Sequence, residues 1–163
     1  MKRFLPSGLM IFAGVLGIAA ASSNADQDVT KIRKKFALRE AILRRFFNEK
    51  HCPVESYAGV FVAEADAYDL DWRLLPSLSF VESGGGKHAP GNNLFGWANG
   101  KMAFVSMGEA IHQVATTLSL GKAYRGKDLE GKLLTYNPRA DYKAMVKEVM
   151  RQISATRAVE AGQ

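Results

Sequence analysis

Residues 71–97, DWRLLPSLSFVESGGGKHAPGNNLFGW, constrain this chain more than any other stretch. Asp71 suits a helix N-cap. Trp72, Leu74, Leu75, Leu78, Phe80 and Val81 then point in nearly every direction around a helix, so this helix must be buried on most of its surface. Pro76 falls in the first turns, where its missing N–H costs least. One carboxylate, Glu82, closes the apolar run, and Ser83-Gly84-Gly85-Gly86 stops the helix.

Glu82 stands beside apolar neighbours and at the negative end of the helix dipole. Both disfavour a charged carboxylate, so the position is expected to hold its proton longer than an exposed acid does. Such an acid can protonate a leaving group. The glycines are expected to let backbone approach a bulky ligand. The plain alternative is an exposed last-turn residue followed by an ordinary C-cap.

The rest of the chain reads as helices around that one. Residues 1–25 carry Lys2 and Arg3, an apolar run from Gly8 to Ala21, and a Ser23-Asn24-Ala25 cleavage pattern, which is the form of a secretory signal peptide. An uncleaved signal anchor is the alternative. The run is short for a membrane span, which needs about 20 apolar residues, so no span is expected after cleavage. Residues 26–50 form a basic helix, with Ile32, Phe36, Leu43 and Phe47 at helical spacing and lysines and arginines on the other faces. Those basic faces read as solvated, with membrane-surface binding as the alternative.

Residues 51–154 form the main domain and 155–163 a flexible tail. A helix is expected over Ser56–Tyr68, burying Val60, Phe61 and Ala65. Asn99-Gly100 between two apolar runs predicts a hairpin. Ser106 to Glu109 is a capping box opening a helix with Ala110, Ile111, Val114, Ala115 and Leu118 inward and Gly121 as its stop. A short helix covers Leu129–Thr135. Asp141 is expected to cap a last helix burying Tyr142, Met145, Val146, Val149 and Ile153.

Charge and residue counts exclude several functions. Removal of Lys2 and Arg3 lowers the formal charge from +6 to +4, a mild basic balance that suits an anionic wall or membrane surface. No basic stripe interleaved with aromatics points to nucleic acid. The three histidines, His51, His88 and His112, share no ligand spacing, so no zinc site is expected. No phosphate-cradling glycine loop occurs, and no nucleophile elbow surrounds Ser83. No metal or cofactor is expected. Cys52 is the single cysteine, so no intrachain disulfide forms; a buried, inert thiol is expected there. What remains is an acid followed downstream by Phe95, Trp97, Tyr124, Tyr136 and Tyr142, whose faces suit sugar rings.

Three short motifs in order, Glu82-Ser83-Gly84, Asn93-Leu94-Phe95-Gly96-Trp97 and Tyr136-Asn137-Pro138, resemble the lysozyme-like superfamily. The likeness covers about Tyr57 to Ile153. It is nearest to the endo-β-N-acetylglucosaminidase-like peptidoglycan hydrolases. Soluble lytic transglycosylases are also similar, but their Gly-Leu-Met-Gln is absent here, and Pro138 replaces the Ala-Gly that follows their Tyr-Asn. The resemblance implies a mainly α, two-lobed fold with a small β-hairpin near a glycan cleft. It implies Glu82 as general acid, with Ser83, Asn93, Phe95, Trp97, Tyr136 and Asn137 binding substrate. It implies an exported monomer, secreted or periplasmic, acting on peptidoglycan or another N-acetylhexosamine polymer by hydrolysis. Lytic transglycosylation and a non-catalytic wall-binding module of the same fold are the alternatives. No second carboxylate can be assigned from the sequence; Glu109 reads as a capping residue, and Asp71, Asp128 and Asp141 as caps or solvent-facing groups.

Overall fold

The computed structural model describes residues 15–157, with side chains from Ala25 onward. The expected signal segment lies largely outside the described residues, as do residues 158–163 of the expected tail. Among the described residues the chain is mainly helical, 68%, with six α-helices. It divides into two units, Met1–Lys35 and Phe36–Gln163.

The first helix, α1, spans Val15–Glu49 and runs through the expected cleavage point at Ala25. Among the described residues the first unit is this helix alone. Val29 is 46% and Ile32 66% exposed. Ile32 was expected on a core face; no second element of its unit covers it. Lys31 pairs with Asp28, and Thr30 bonds the Asp26 carbonyl, both within the helix. No described helix is long and apolar enough to cross a membrane.

In the second unit Leu43, Phe46 and Phe47 of α1 are buried. The Phe46 ring meets Phe80 edge-on at 5.5 Å, and Phe47 meets Phe61 at 5.6 Å. Pro53–Tyr57 is a 3-10 turn, and α2 follows over Ala58–Ala67. The expected single helix from Ser56 is therefore shorter. Its buried residues are Ala58, Phe61, Val62 and Ala65, while Val60 is half-buried.

The helix α3, Leu74–Ser83, is the centre of the unit. Leu74, Leu75 and Leu78 are buried as the apolar pattern predicts, together with Pro76, Ser77 and Ser79, while Trp72, Phe80 and Val81 of that pattern are half-buried. Helices α2, α4 and α6 pack against it. Asp71 does not sit at its N-cap. It lies two residues earlier, where its carboxylate accepts the Arg73 N–H at 2.9 Å and the Arg73 Nε–H at 2.8 Å. The turn is held by this pair, and the helix begins after it.

Helix α4, Met107–Leu120, has the predicted capping box. Ser106 Oγ accepts the Glu109 N–H at 3.1 Å, and Glu109 reaches back to the Val105 N–H at 2.6 Å. Its predicted inward residues are all buried. Helix α5, Leu129–Tyr136, is capped by Asp128, which accepts from Gly131 N–H at 2.8 Å. Helix α6, Ala140–Ala155, starts at Arg139 rather than Asp141. Asp141 stands in its first turn paired with Arg139, favourable to the helix dipole but not a cap. Met145 is 44% exposed, and Met150 takes the buried place expected of it.

The expected hairpin does not form; no strand occurs among the described residues. Gly91, Asn92, Gly96, Ala98, Asn99 and Gly100 all have positive φ, so the segment coils instead of extending. Asn99-Gly100 does turn the chain, but the Met102 N–H reaches the Trp97 carbonyl only at 3.4 Å and no ladder follows. Side-chain amides replace one. Asn92 Nδ2 donates to the Phe104 carbonyl at 3.0 Å, and Asn93 braces both backbone groups of Trp97.

Candidate active site

The last turn of α3 delivers Glu82, half-buried, to one end of the helix core. The chain leaves through Gly84, Gly85 and Gly86 at φ of 63°, 64° and 91°, which only glycine adopts without strain. The Gly84 and Gly85 N–H groups fold back onto the Phe80 and Ser79 carbonyls. Gly85 and Gly86 face the protein interior, whereas Gly84 is half-buried beside the Lys87 side chain. A Cβ at Gly85 would stand 2.8 Å from Cys52, and one at Gly86 would stand 3.2 Å from Val54. The expectation that they line a binding cleft is thus corrected. Cys52 is buried, and that burial pushes its thiol up from its ordinary range.

Ser83 is also turned inward. It is buried, donates to the Ser79 carbonyl at 2.9 Å and accepts the Gly86 N–H at 3.1 Å. Its hydroxyl is committed to closing the helix, so it does not reach substrate space. Asn93 is likewise buried. Its Oδ1 accepts the Trp97 N–H at 3.0 Å and its Nδ2 donates to the Trp97 carbonyl at 2.9 Å. Asn93 shapes the loop that carries Trp97 and does not line the pocket.

Three elements converge on Glu82. From the first turn of α6, the buried Tyr142 hydroxyl donates to Glu82 Oε1 at 2.6 Å. From the end of α5, the Tyr136 ring stacks on that of Tyr142, with centroids 5.9 Å apart and an interplanar angle of 14°. The Tyr136 hydroxyl donates to the Phe95 carbonyl at 2.6 Å. From the loop, Gly96 crosses the other carboxylate oxygen so closely that a Cβ there would lie 2.9 Å from Oε2. Gly96 has φ of 64°, a conformation that strains any other residue, and a Cβ there would push the Glu82 carboxylate aside.

Burial, and then the bond to Glu82, push the Tyr142 phenol far up from its ordinary value; burial, and then the nearby Glu82 charge, do the same to Tyr136. Both keep their protons at neutral pH and act as fixed donors. The two carboxylate oxygens are therefore unlike. Oε1 is occupied by Tyr142, and Oε2 faces Gly96.

Glu82, Phe95, Gly96, Trp97, Ala98, Asn99, Tyr124, Tyr136 and Asn137 line a pocket of about 420 Å³. That lies within the usual range for small-ligand sites, about 300–1,000 Å³. Of the residues expected here, Glu82, Phe95, Trp97, Tyr136 and Asn137 meet in this one pocket although up to 55 positions separate them in the sequence. Phe95 is itself buried and presents mainly its backbone. Glu82 is the single acidic residue of the lining. Among the described residues no group of three or more His, Cys, Asp or Glu gathers as a metal site would need.

Sequence reasoning placed Tyr142 in the core of α6 and missed its bond to the acid. The available signal was its spacing: Tyr136 and Tyr142 flank the Asn137–Arg139 break, so two aromatics leave adjacent helix ends together. Gly96 stood out only as part of the Asn93–Trp97 motif, and Asn99 only by its turn propensity. Comparisons of this chain with protein-family models, with curated proteins and with solved structures return no match.

Proposed function

We propose that this chain is an exported glycoside hydrolase that cuts β-1,4 bonds in an N-acetylhexosamine polymer, peptidoglycan foremost, with Glu82 as general acid. One observation carries the reading. Glu82 has one oxygen clamped by a buried phenol and the other at the wall of a pocket bearing Trp97, Tyr124 and Tyr136. Aromatic faces take the apolar faces of sugar rings, and the amides of Asn99 and Asn137 suit acetamido and hydroxyl groups. A lysozyme-like arrangement, with the acid at the end of a buried helix, fits this geometry and the three motifs.

In the first step the proton on Glu82 Oε2 passes to the glycosidic oxygen. The C1–O bond breaks, its electron pair stays on the leaving oxygen, and the leaving sugar departs with the proton. The lining supplies no second carboxylate to act as nucleophile or base. The developing charge at C1 is met instead by the carbonyl oxygen of the substrate's own 2-acetamido group, which closes a cyclic ion. Glu82, now a carboxylate, takes a proton from water as the water oxygen attacks C1. The hemiacetal forms, the ring ion opens, and the acid is restored.

The single acid also favours a second reading, lytic transglycosylation, in which the substrate's own C6 hydroxyl replaces water. Digestion of cell-wall sacculi, with the products read by mass spectrometry, separates these. Reducing-end GlcNAc or MurNAc indicates hydrolysis, and 1,6-anhydro-MurNAc indicates transglycosylation. Absence of any released muropeptide across pH and salt would remove both enzymatic readings and leave a binding module. Glu82→Gln should lower turnover by about 10²–10⁴-fold, the usual contribution of general acid catalysis. Its amide oxygen can still accept from Tyr142, so melting should be unchanged or higher. Full activity in a folded Glu82→Gln protein would overturn the assignment.

A further inference from the structure

A second groove, of about 510 Å³, is lined by Tyr68, Asp69, Leu70, Asp71, Leu74, Ser119 and the segment around α5 that includes Lys127 and Lys132. It adjoins the acid pocket across Tyr124. Tyr124 lines the acid pocket, and its carbonyl accepts from Lys132 Nζ at 3.2 Å and from the Lys127 N–H at 3.1 Å. Leu129, Lys132 and Tyr136 stand at i, i+3 and i+7, so they share one face of α5. Tyr136 lies in the acid pocket, and the other two lie in the groove. At 1.5 Å per residue, Lys132 and Leu129 stand about 6 and 10 Å along the axis from Tyr136.

The charges of this groove are unevenly satisfied. The Asp71 carboxylate is taken by Arg73, and that of Asp128 by the Gly131 N–H. Lys127 Nζ bonds the Thr135 hydroxyl, and Lys132 Nζ bonds the Tyr124 carbonyl. Both bonds hold a cation on a neutral acceptor, and neither lysine meets a carboxylate among the described residues. The exposed Asp69 faces the same groove from the other wall. A neutral glycan gives two ammonium groups nothing to pair with. A short peptide branch with free carboxylates does, and an amino group on that branch would meet Asp69.

We infer that this groove seats the peptide stem of the polymer, so that Lys127 and Lys132 select acid-bearing, stem-substituted glycan over bare glycan. The inference rests on the proposed glycan-cleaving site, because it assigns the stem to the sugar beside Glu82. The separation of about one to two helical turns suits a branch leaving a sugar held on Tyr136 and Tyr124.

The test uses two probes: native glycan strands bearing their stems, and the same strands stripped by an amidase, with the lactyl carboxylates this exposes capped as methyl amides. Affinity is measured on the full chain carrying Glu82→Gln, and kcat/KM on the chain with Glu82 intact. Lys127→Gln and Lys132→Gln keep a donor for Thr135 and Tyr124 while removing the charge. Exposed ion pairs contribute about 0.2–1 kcal/mol each, so each substitution should weaken stem-bearing strands by up to about fivefold. The double variant should lose more than either single one. Stripped strands should be bound and cut as before, the melting temperature should hold, and added salt should erode the preference. Equal affinity of the unsubstituted groove for both probes, or equal losses on both, would overturn the stem assignment. Failure of the enzymatic reading looks different: neither probe is cut, while the binding preference and its dependence on both lysines persist.

Discussion

Tyr142→Phe tests the site most directly, because it deletes one oxygen and leaves the ring. Tyr142 is 4% exposed, its hydroxyl lies 2.6 Å from Glu82 Oε1, and its ring stacks on Tyr136. Phenylalanine keeps the packing and the stack. Glu82 Oε1 is then left without its donor at a half-buried position. Hydrogen bonds to charged groups contribute about 1.5–3 kcal/mol. At 1.36 kcal/mol per decade, a bond of that size expressed wholly in the transition state lowers kcat by about 10- to 150-fold. The carboxyl no longer has a fixed orientation, so the loss should fall on kcat, with KM within about twofold. Thermal melting should fall by a few degrees, since about 1 kcal/mol moves a chain of this size by roughly 2–4 °C. The assay is glycan turnover over a substrate series, run beside a thermal melt. Tyr142→Ala is the control for packing and should lose stability well beyond the Phe variant. Wild-type kcat in a folded Tyr142→Phe protein would refute the clamp. A raised KM with kcat intact would make Tyr142 a binding group instead.

Gly96→Ala should lower both stability and turnover. The left-handed conformation alone costs a non-glycine residue roughly 1–2 kcal/mol, and the new methyl would stand 2.9 Å from Glu82 Oε2. Unchanged kcat/KM in this variant would mean that Oε2 is not the proton-bearing atom. Asn93→Ala removes both braces on Trp97, so KM should rise more than kcat falls, and Trp97 fluorescence should report a looser loop; a wild-type KM would exclude Trp97 from substrate binding. Glu130 pairs with Lys143 and Lys147 of α6, and these hydrogen bonds hold its carboxyl down to about 2 from an ordinary 4.5. A depressed folded pKa gives stability that is present above 4.5 and is lost as pH falls towards 2. Glu130→Gln should therefore melt lower than wild type at pH 7 and match it near pH 2, with salt narrowing the gap; a difference independent of pH would refute the pairing.

Much of the fold is legible in the sequence where burial and capping agree. The apolar run from Leu74 to Val81 demands a central helix, and α3 is one. The Ser106–Glu109 box and the inward set from Ala110 to Leu118 define α4. Misreadings occur where side chains compete with the backbone. Asp71 favours an N-cap by propensity, but Arg73 two residues on offers it both a backbone N–H and a guanidinium, so it closes a turn instead. The segment 91–105 has the turn residues and apolar flanks of a hairpin. Its strand pairing is replaced by Asn92, whose amide reaches the Phe104 carbonyl twelve positions on, and by Asn93, whose amide closes a local turn onto Trp97.

The candidate site divides in the same way. Glu82 is conspicuous as the one charge closing an apolar helix, and Tyr136 and Trp97 follow from their motifs. The closeness of glycine backbone to the acid is also a correct kind of expectation, but it attaches to the wrong glycines. Adjacency in sequence favours Gly84, Gly85 and Gly86, which turn the chain away, the last two packed under Cys52 and Val54. Gly96, fourteen positions after the acid, is the one that meets it, and only the path of the 91–105 segment brings it there. Tyr142 shows why the last contact is hidden. Its place on α6 beside Val146 and Val149 is that of a core aromatic, and its ring is indeed buried. Whether a buried phenol bonds a carbonyl or a carboxylate depends on what lies 2.6 Å from its oxygen. That neighbour is set by how α6 crosses α3, a tertiary fact carried by no periodicity. The same ring thus supplies core packing on one side and a fixed proton donor on the other. Replacing the hydroxyl and replacing the ring should therefore give separable losses, one in rate and one in stability.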